Sequence, residues 1–260
     1  MTDCIDLNSD LGEGFGKYSL GDDAAMLDIV SSVNVACGFH AGDPDIMAGL
    51  AKQTRQKGIA LGAHPGFRDL HGFGRREVTG IPAEELENLM IYQIGALQAL
   101  ARSQEQTLSH VRVHGALGNM SDSDFEIAAP VVRAVYKADP QLALMTLPGC
   151  AADTAATKLG LRVARQAFAD RAYNDDGSLV SRRLEGAVIS DPNTAAERVI
   201  RLVQEGTIKT ITGNSLQLEA RTVCVHGDSP AAIAMAESIR TRLENEGIKI
   251  RPFTEHDDWY

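Results

Sequence analysis

Val33-Asn34-Val35-Ala36-Cys37-Gly38-Phe39-His40-Ala41-Gly42-Asp43-Pro44 begins as an apolar, β-branched run and ends on a helix start. Asp43 can cap a helix whose first position is Pro44, where the fixed φ helps and the missing N–H costs nothing. The helix is expected to continue to Lys57 and to stop at Gly58, after which a second apolar run, Ala60–His64, follows at once. Strand, helix and strand in such close order form a unit of parallel sheet with a crossover helix.

Outward from this unit the alternation continues. Candidate strands are Cys4–Ser9, Val33–Phe39, Ala60–His64, Val111–His114, Leu142–Leu147, Arg162–Ala167 and Thr222–Val225. Helical patterns cover Ala83–Ser103, Ser123–Lys137, Ala151–Leu159, Asn193–Glu205 and Ser229–Glu246. The pattern fits a closed barrel or an open doubly wound sheet, and periodicity alone does not separate them. One segment departs from it. Thr207–Thr212, Gly213-Asn214 and Ser215–Ala220 read as a β-hairpin, an excursion before the last core strand. The 260 residues suit one α/β barrel, so a single domain over 1–260 is expected.

The formal net charge is −10, with no lysine- or arginine-rich run, which argues against a nucleic-acid surface or an anionic membrane face. No apolar stretch approaches the ~20 residues needed to span a bilayer. The start, Met1-Thr2-Asp3-Cys4, lacks a basic segment followed by an apolar one, so a cytoplasmic location is expected. Cys4, Cys37, Cys150 and Cys224 are far apart and read as buried thiols of a reducing compartment.

Polar and titratable residues gather just after the expected strands. Asn8, Asp10 and Glu13 follow the first, His40 the second, His64 the third, His114 the fourth, Asp170 and Arg171 the sixth, and His226 and Asp228 the last. In parallel α/β folds that is the ligand-binding face. A single histidine there would more often be structural, but four at equivalent places point to a pocket. Imidazole and carboxylate suit general acid–base chemistry, and they also suit a divalent metal. There is no His-x-x-x-His or His-Glu-x-x-His spacing, so any metal would be held by residues from different strands, with Asp10, His40 and His64 as candidates. Walker A and Gly-x-Gly-x-x-Gly loops are absent. Gly72-Phe73-Gly74-Arg75-Arg76 offers backbone donors beside two guanidiniums, on a long loop after the third strand.

These motifs, in this order, resemble the LamB/YcsF family. The likeness rests on Asp6–Glu13, Asn34–Pro44, Gly62–Phe67, Gly72–Arg76, His114–Leu117, Phe168–Tyr173 and Val225–Asp228, and it covers nearly the whole chain. It implies an irregular seven-stranded β/α (TIM-like) barrel akin to glycoside hydrolases and deacetylases. It further implies the A component of a 5-oxoprolinase working with B and C subunits, in which 5-oxoproline, ATP (with Mg) and water give glutamate, ADP and phosphate. The family's usual lysine, proline and tyrosine of the fourth-strand motif are here Arg112, Val113 and Gly118. Arg112 cannot serve as a base or form a Schiff base.

Under this resemblance Asp10 or Glu13 is the base or a metal ligand, and His40, His64 and His114 carry protons or stabilise an oxyanion. Asp170 and Arg171 hold the substrate's ring NH and carboxylate, with Asn8, Asp43, Arg75, Arg76, His226 and Asp228 as further binding residues. A metal-dependent hydrolase acting alone and a non-catalytic 5-oxoproline-binding subunit remain as alternatives.

Overall fold

The β-branched run at the N-terminus forms β1 (Cys4–Leu11), the strand on which the architecture closes. In this computed structural model residues 4–226, 232–256 and 259 are described. β1 pairs in parallel with β2 (Ser32–Ala36), which leads through β3 (Ala60–His64), β4 (Leu108–Arg112), β5 (Ala143–Thr146) and β6 (Arg162–Phe168) to a last strand, β9 (Thr222–Cys224). That strand pairs back onto β1, with Asp6 opposite Thr222 and Asn8 opposite Cys224. The result is a closed parallel barrel of seven strands, the α/β TIM-like fold expected above.

The connecting helices are α1 (Asp23–Met26), α2 (Pro44–Lys57), α3 (Ala83–Ser103), α4 (Gly115–Ser123), α5 (Phe125–Ala138), α6 (Ala151–Leu159), α7 (Pro192–Glu205) and α8 (Ala232–Asn245). Helix α2 starts and stops as its sequence dictates. Asp43 Oδ1 accepts from the N–H groups of Asp45 and Ile46, and Gly58 ends the helix at φ +69°. Among the described residues no helix is long and apolar enough to cross a membrane. The hairpin is β7 (Thr207–Lys209) with β8 (Ser215–Gln217), antiparallel and outside the barrel. Its strands are shorter than the sequence suggests, and residues 210–214 connect them where a two-residue turn was expected.

Three boundaries differ from the expected ones for identifiable reasons. β2 ends at Ala36, because residues 37–43 turn tightly back; Gly42 sits at φ +81°, where a Cβ would lie 2.6 Å from the Ala36 carbonyl oxygen. β4 runs Leu108–Arg112 rather than Val111–His114, because His114 leaves the strand to start α4. The expected helix over Ser123–Lys137 is α5, which starts at Phe125 because the Asp124 carboxylate accepts from Glu126 N–H and caps it, and α4 before it was not expected. Gly115 and Gly118 conceal the helical character of α4 at the level of sequence.

The strands alternate apolar residues toward the helices with polar residues toward the barrel interior, an inversion of the usual apolar filling. Leu7, Val33, Val35, Leu61, Val111 and Leu144 join the main hydrophobic core. Inside, Asp6 accepts hydroxyl hydrogen bonds from Ser31 (2.6 Å), Ser32 (2.7 Å) and Thr222. Above it the Asn34 amide donates to Asn8 Oδ1 and Asp10 Oδ1, each at 2.9 Å, and His110 Nε2 donates to Asn34 Oδ1 at 2.7 Å. A C-terminal segment closes the end below. β10 (Lys249–Ile250) pairs with the start of β1, and fully buried Phe253 packs on Ala143, Met145 and Ala164 and edge-on to His110.

His110 makes the fold sensitive to acid. Burial pushes its pKa down from 6.5 to about 3, so between these values the unfolded chain binds a proton that the folded one does not, and stability falls as the pH drops. Asp6, raised by burial to about 6, acts with the opposite sign between about pH 4 and 6. In urea titrations at pH 7 and pH 4.5, His110→Gln is expected to lose about 2–3 kcal/mol less on acidification than the wild type. Equal losses in both proteins would place the acid sensitivity elsewhere.

Candidate active site

At the carboxyl ends of the strands the interior polar column meets a cavity of about 770 Å³. Arg112, the last residue of β4, points across the barrel to Asp10 on β1. Its Nη1 donates to both Asp10 oxygens at 2.7 Å, its Nε donates to Gln166 Oε1 at 3.1 Å, and the guanidinium lies over the Phe168 ring. Burial acts to raise the Asp10 pKa, but Arg112, followed by the nearby histidines, outweighs it and holds the carboxyl well below the usual carboxylate range. Asp10 is therefore a fixed anion, and a poor proton acceptor at neutral pH.

Three imidazoles stand beside this pair. His64, from the end of β3, places Nδ1 2.7 Å from the Arg112 carbonyl oxygen and Nε2 3.5 Å from Asp10 Oδ2. His114 places Nε2 2.7 Å from the Phe73 carbonyl oxygen and Nδ1 2.9 Å from His64 Nε2. His40 stacks face to face on His114, with ring centroids 3.7 Å apart. Glu13, on the loop after β1, sets Oε1 3.6 Å from His114 Nδ1 and 4.0 Å from His40 Nε2. Burial depresses all three imidazoles, His64 to about 3, His114 to about 4 and His40 well below its ordinary value. They are neutral at pH 7. One donor atom from each of Glu13, His40, His64 and His114 lies within 4.8 Å of the others, a set that could hold a metal ion. The sequence pointed to Asp10, His40 and His64 as metal candidates; His40 and His64 fall in this set together with Glu13 and His114, while Asp10 is paired with Arg112.

The glycine-rich loop forms a roof over the imidazoles. Its backbone is committed to the protein, since Phe73 O accepts from His114 and Gly74 O accepts from Ala116 N–H at 2.9 Å. Gly74 stands at φ +61°, and a Cβ there would lie 2.8 Å from both His114 Cδ2 and His40 Cβ. Phe73 itself holds φ +53°, a strained value for a bulky residue, with its ring edge-on to both histidines. The loop therefore serves to orient the imidazoles.

The far wall of the cavity carries a second cluster. His226 Nδ1 donates to Asp170 at 2.8 Å, its ring stacks on Phe168, and its Nε2 accepts from Arg182 Nη2 at 3.1 Å. Arg171 lines the same wall and donates from Nη2 to Val180 O at 2.7 Å. The other expected residues are placed differently. Arg75 lines the cavity. Asn8 lies beneath the site within the interior column. Asp43 divides its carboxylate between the α2 cap and Gly16 N–H, and Arg76 is paired with Asp69; neither lines the cavity. Asp228 lies outside the described residues. Cys37 donates to Val35 O and is pushed by burial up to about 12, a state unsuited to a nucleophile.

Sequence reasoning missed Arg112, Asn34 and Gln166 as site residues. The available signal was the period-2 placement of polar residues in otherwise apolar strands, Asp6-x-Asn8-x-Asp10 and His110-x-Arg112. Arg182, on the loop after β6, left no such signal. Gly118, where the family has tyrosine, packs so closely that a Cβ would meet the Val113 carbonyl oxygen at 2.6 Å.

The likeness to known proteins extends over this whole arrangement. The A-type subunit of 5-oxoprolinase from Rhodopseudomonas palustris is 52% identical over 249 residues, 96% of this chain and 98% of its own length. The crystal structure of a lactam utilization protein from Thermus thermophilus superposes with a TM-score of 0.91 at 41% identity, covering 95% of this chain and 99% of that one. A family 4 carbohydrate esterase from Streptomyces lividans shares the fold alone, with a TM-score of 0.50 at 10% identity over 95% of this chain and 91% of its own. The family model described as LamB/YcsF matches residues 5–258, so the strand-end carboxylates and imidazoles all fall within it, and the chain belongs to the LamB/YcsF family.

Proposed function

We propose that this chain is the subunit of an ATP-dependent 5-oxoprolinase that holds 5-oxo-L-proline and opens its lactam to L-glutamate. The observation that carries the reading is the opposition, across one cavity, of Glu13 beside neutral imidazoles and a cationic wall of Arg171 and Arg182. A cyclic amide with a carboxylate needs both. The arginines take the carboxylate in the fork geometry of guanidinium, and the ring carbonyl then faces Glu13 and His114. The names of the relatives support the same substrate class.

An unstrained lactam resists water, which is where ATP enters. Transfer of its terminal phosphoryl group to the lactam oxygen gives an imidate and ADP. Water adds to that carbon, the C–N bond breaks with a proton delivered to nitrogen, and a second water hydrolyses the acyl phosphate. Glu13 is the base for the attacking water, because the Asp10 carboxylate is bound to Arg112 and Asn34. His64 and His114 stand beside Glu13 at the site, and Arg112 with Asp10 fixes their positions. The cavity is larger than one five-membered ring requires and leaves room near Arg75 for phosphate. ATP is bound within a complex of this chain with B and C subunits.

The competing reading is a hydrolase acting alone, favoured by the metal-ligating set. Glutamate formation from 5-oxoproline is measured with this chain alone, with its two partners, and with and without ATP and Mg. Product only in the complete mixture is the expected result. Product from the chain alone without ATP overturns the proposal of a multi-component enzyme.

A further inference from the structure

We propose that Glu13, His40, His64 and His114 bind one divalent transition-metal cation of the zinc type at the wall of the cavity. The first argument is tautomeric. A backbone carbonyl accepts only, so His64 carries its proton on Nδ1, toward Arg112 O, and His114 carries its proton on Nε2, toward Phe73 O. With those protons placed, the nitrogens that remain, His64 Nε2 and His114 Nδ1, face each other at 2.9 Å. Two lone pairs at that distance repel unless a positive species lies between them or beside both.

The second argument is His40. It is fully buried, yet among the described residues neither ring nitrogen has a hydrogen-bond partner. A buried polar group without a partner is costly, and a ligand of the right charge removes the cost. His40 Nε2 lies 4.0 Å from the Glu13 carboxylate, whose Oε1 is also 3.6 Å from His114 Nδ1.

The surroundings fit a cation. Arg112 Nη1 lies 3.5 Å from His64 Nε2, but its charge is matched by Asp10. Glu13 leaves the donor set net negative. Histidines that ligate metal commonly donate their other N–H to a carbonyl, as His64 and His114 do. Three imidazoles and one carboxylate suit zinc or cobalt rather than magnesium or calcium. Donor atoms in a tetrahedral site of that kind stand about 3.4 Å apart, given metal–nitrogen bonds of about 2.1 Å. Of the present donors, His64 Nε2 and His114 Nδ1, at 2.9 Å, need to part by about half an ångström, and the more distant ones, within 4.8 Å, to draw in by at most about 1.4 Å. His40 has no hydrogen bond to break in doing so. Glu13 and His114 border the cavity, so the ion would be reached by a ligand there.

The test reads binding and is independent of whether ring opening is the reaction. The full chain is stripped with a chelator and titrated calorimetrically with Zn²⁺ and with Co²⁺, the visible spectrum of the latter reporting a tetrahedral nitrogen-rich site. One equivalent per chain is expected. His40→Ala and, as a gentler change, His64→Gln should each weaken binding by a hundredfold or more and abolish the cobalt spectrum, while Arg75→Ala retains both. Circular dichroism of each variant establishes that it is folded. Binding below stoichiometry by the wild type, or undiminished binding by the folded variants, overturns the proposal; in that case a proton shared between His64 and His114 resolves their lone-pair conflict.

Discussion

Glu13→Gln is expected to slow glutamate formation in the reconstituted complex by at least a hundredfold with the fold intact. Glu13 is 8% exposed, lines the cavity, and stands 3.6 Å from His114. Asp10, the other carboxylate beside the imidazoles, spends both oxygens on Arg112 and is held ionised. A positioned general base contributes roughly 10²- to 10⁴-fold, and glutamine keeps the shape while removing the basic lone pair. The measurement is steady-state turnover together with a thermal melt. A rate within tenfold of wild type, from a protein that melts normally, would assign the base to another group.

The second large effect is on stability. Arg112→Met leaves Asp10 7% exposed, surrounded by protein and without its counter-charge. Breaking a buried pair by removing one partner costs about 3–5 kcal/mol, more than the pair is worth against an apolar substitute. For a chain of this size that corresponds to a fall in Tm of roughly 10 °C. The double variant Asp10→Asn/Arg112→Met removes both charges and should recover most of the loss. Denaturant titration of the two single variants and the double variant closes the cycle. If the double variant is as unstable as Arg112→Met, uncompensated charge is not the cause.

Much of this fold could be read directly. Helix α2 carries its start in Asp43-Pro44 and its stop in Gly58, and six other segments repeat the apolar run that makes a strand. What periodicity could not supply was closure. The pairing of β9 with β1 joins Thr222 to Asp6, partners far apart in the chain, and nothing local in either strand announces it. The histidines of the site were visible because each stands at a strand end beside glycine. Their chemistry was not visible, because it depends on which ring nitrogen meets which carbonyl. The Gly72–Arg76 loop was expected to offer backbone donors beside two guanidiniums. Instead, Phe73 O and Gly74 O are acceptors for His114 and Ala116, a use that only the tertiary arrangement reveals. Asp43 was expected at the substrate for its place in a motif, and its carboxylate is shared between the α2 cap and Gly16 N–H.

The roof that Phe73 and Gly74 lay over the imidazoles has a practical corollary for anyone who wants to change what the barrel accepts. Approach to the reacting groups is one-sided, from the direction of α4, the β5–α6 turn and the arm that follows β6. Combinatorial libraries aimed at new lactams therefore belong at positions such as Asn119, Pro148, Leu179 and Arg182. Diversity introduced at Phe73 or Gly74 would misalign His114 and His40 without widening the entrance.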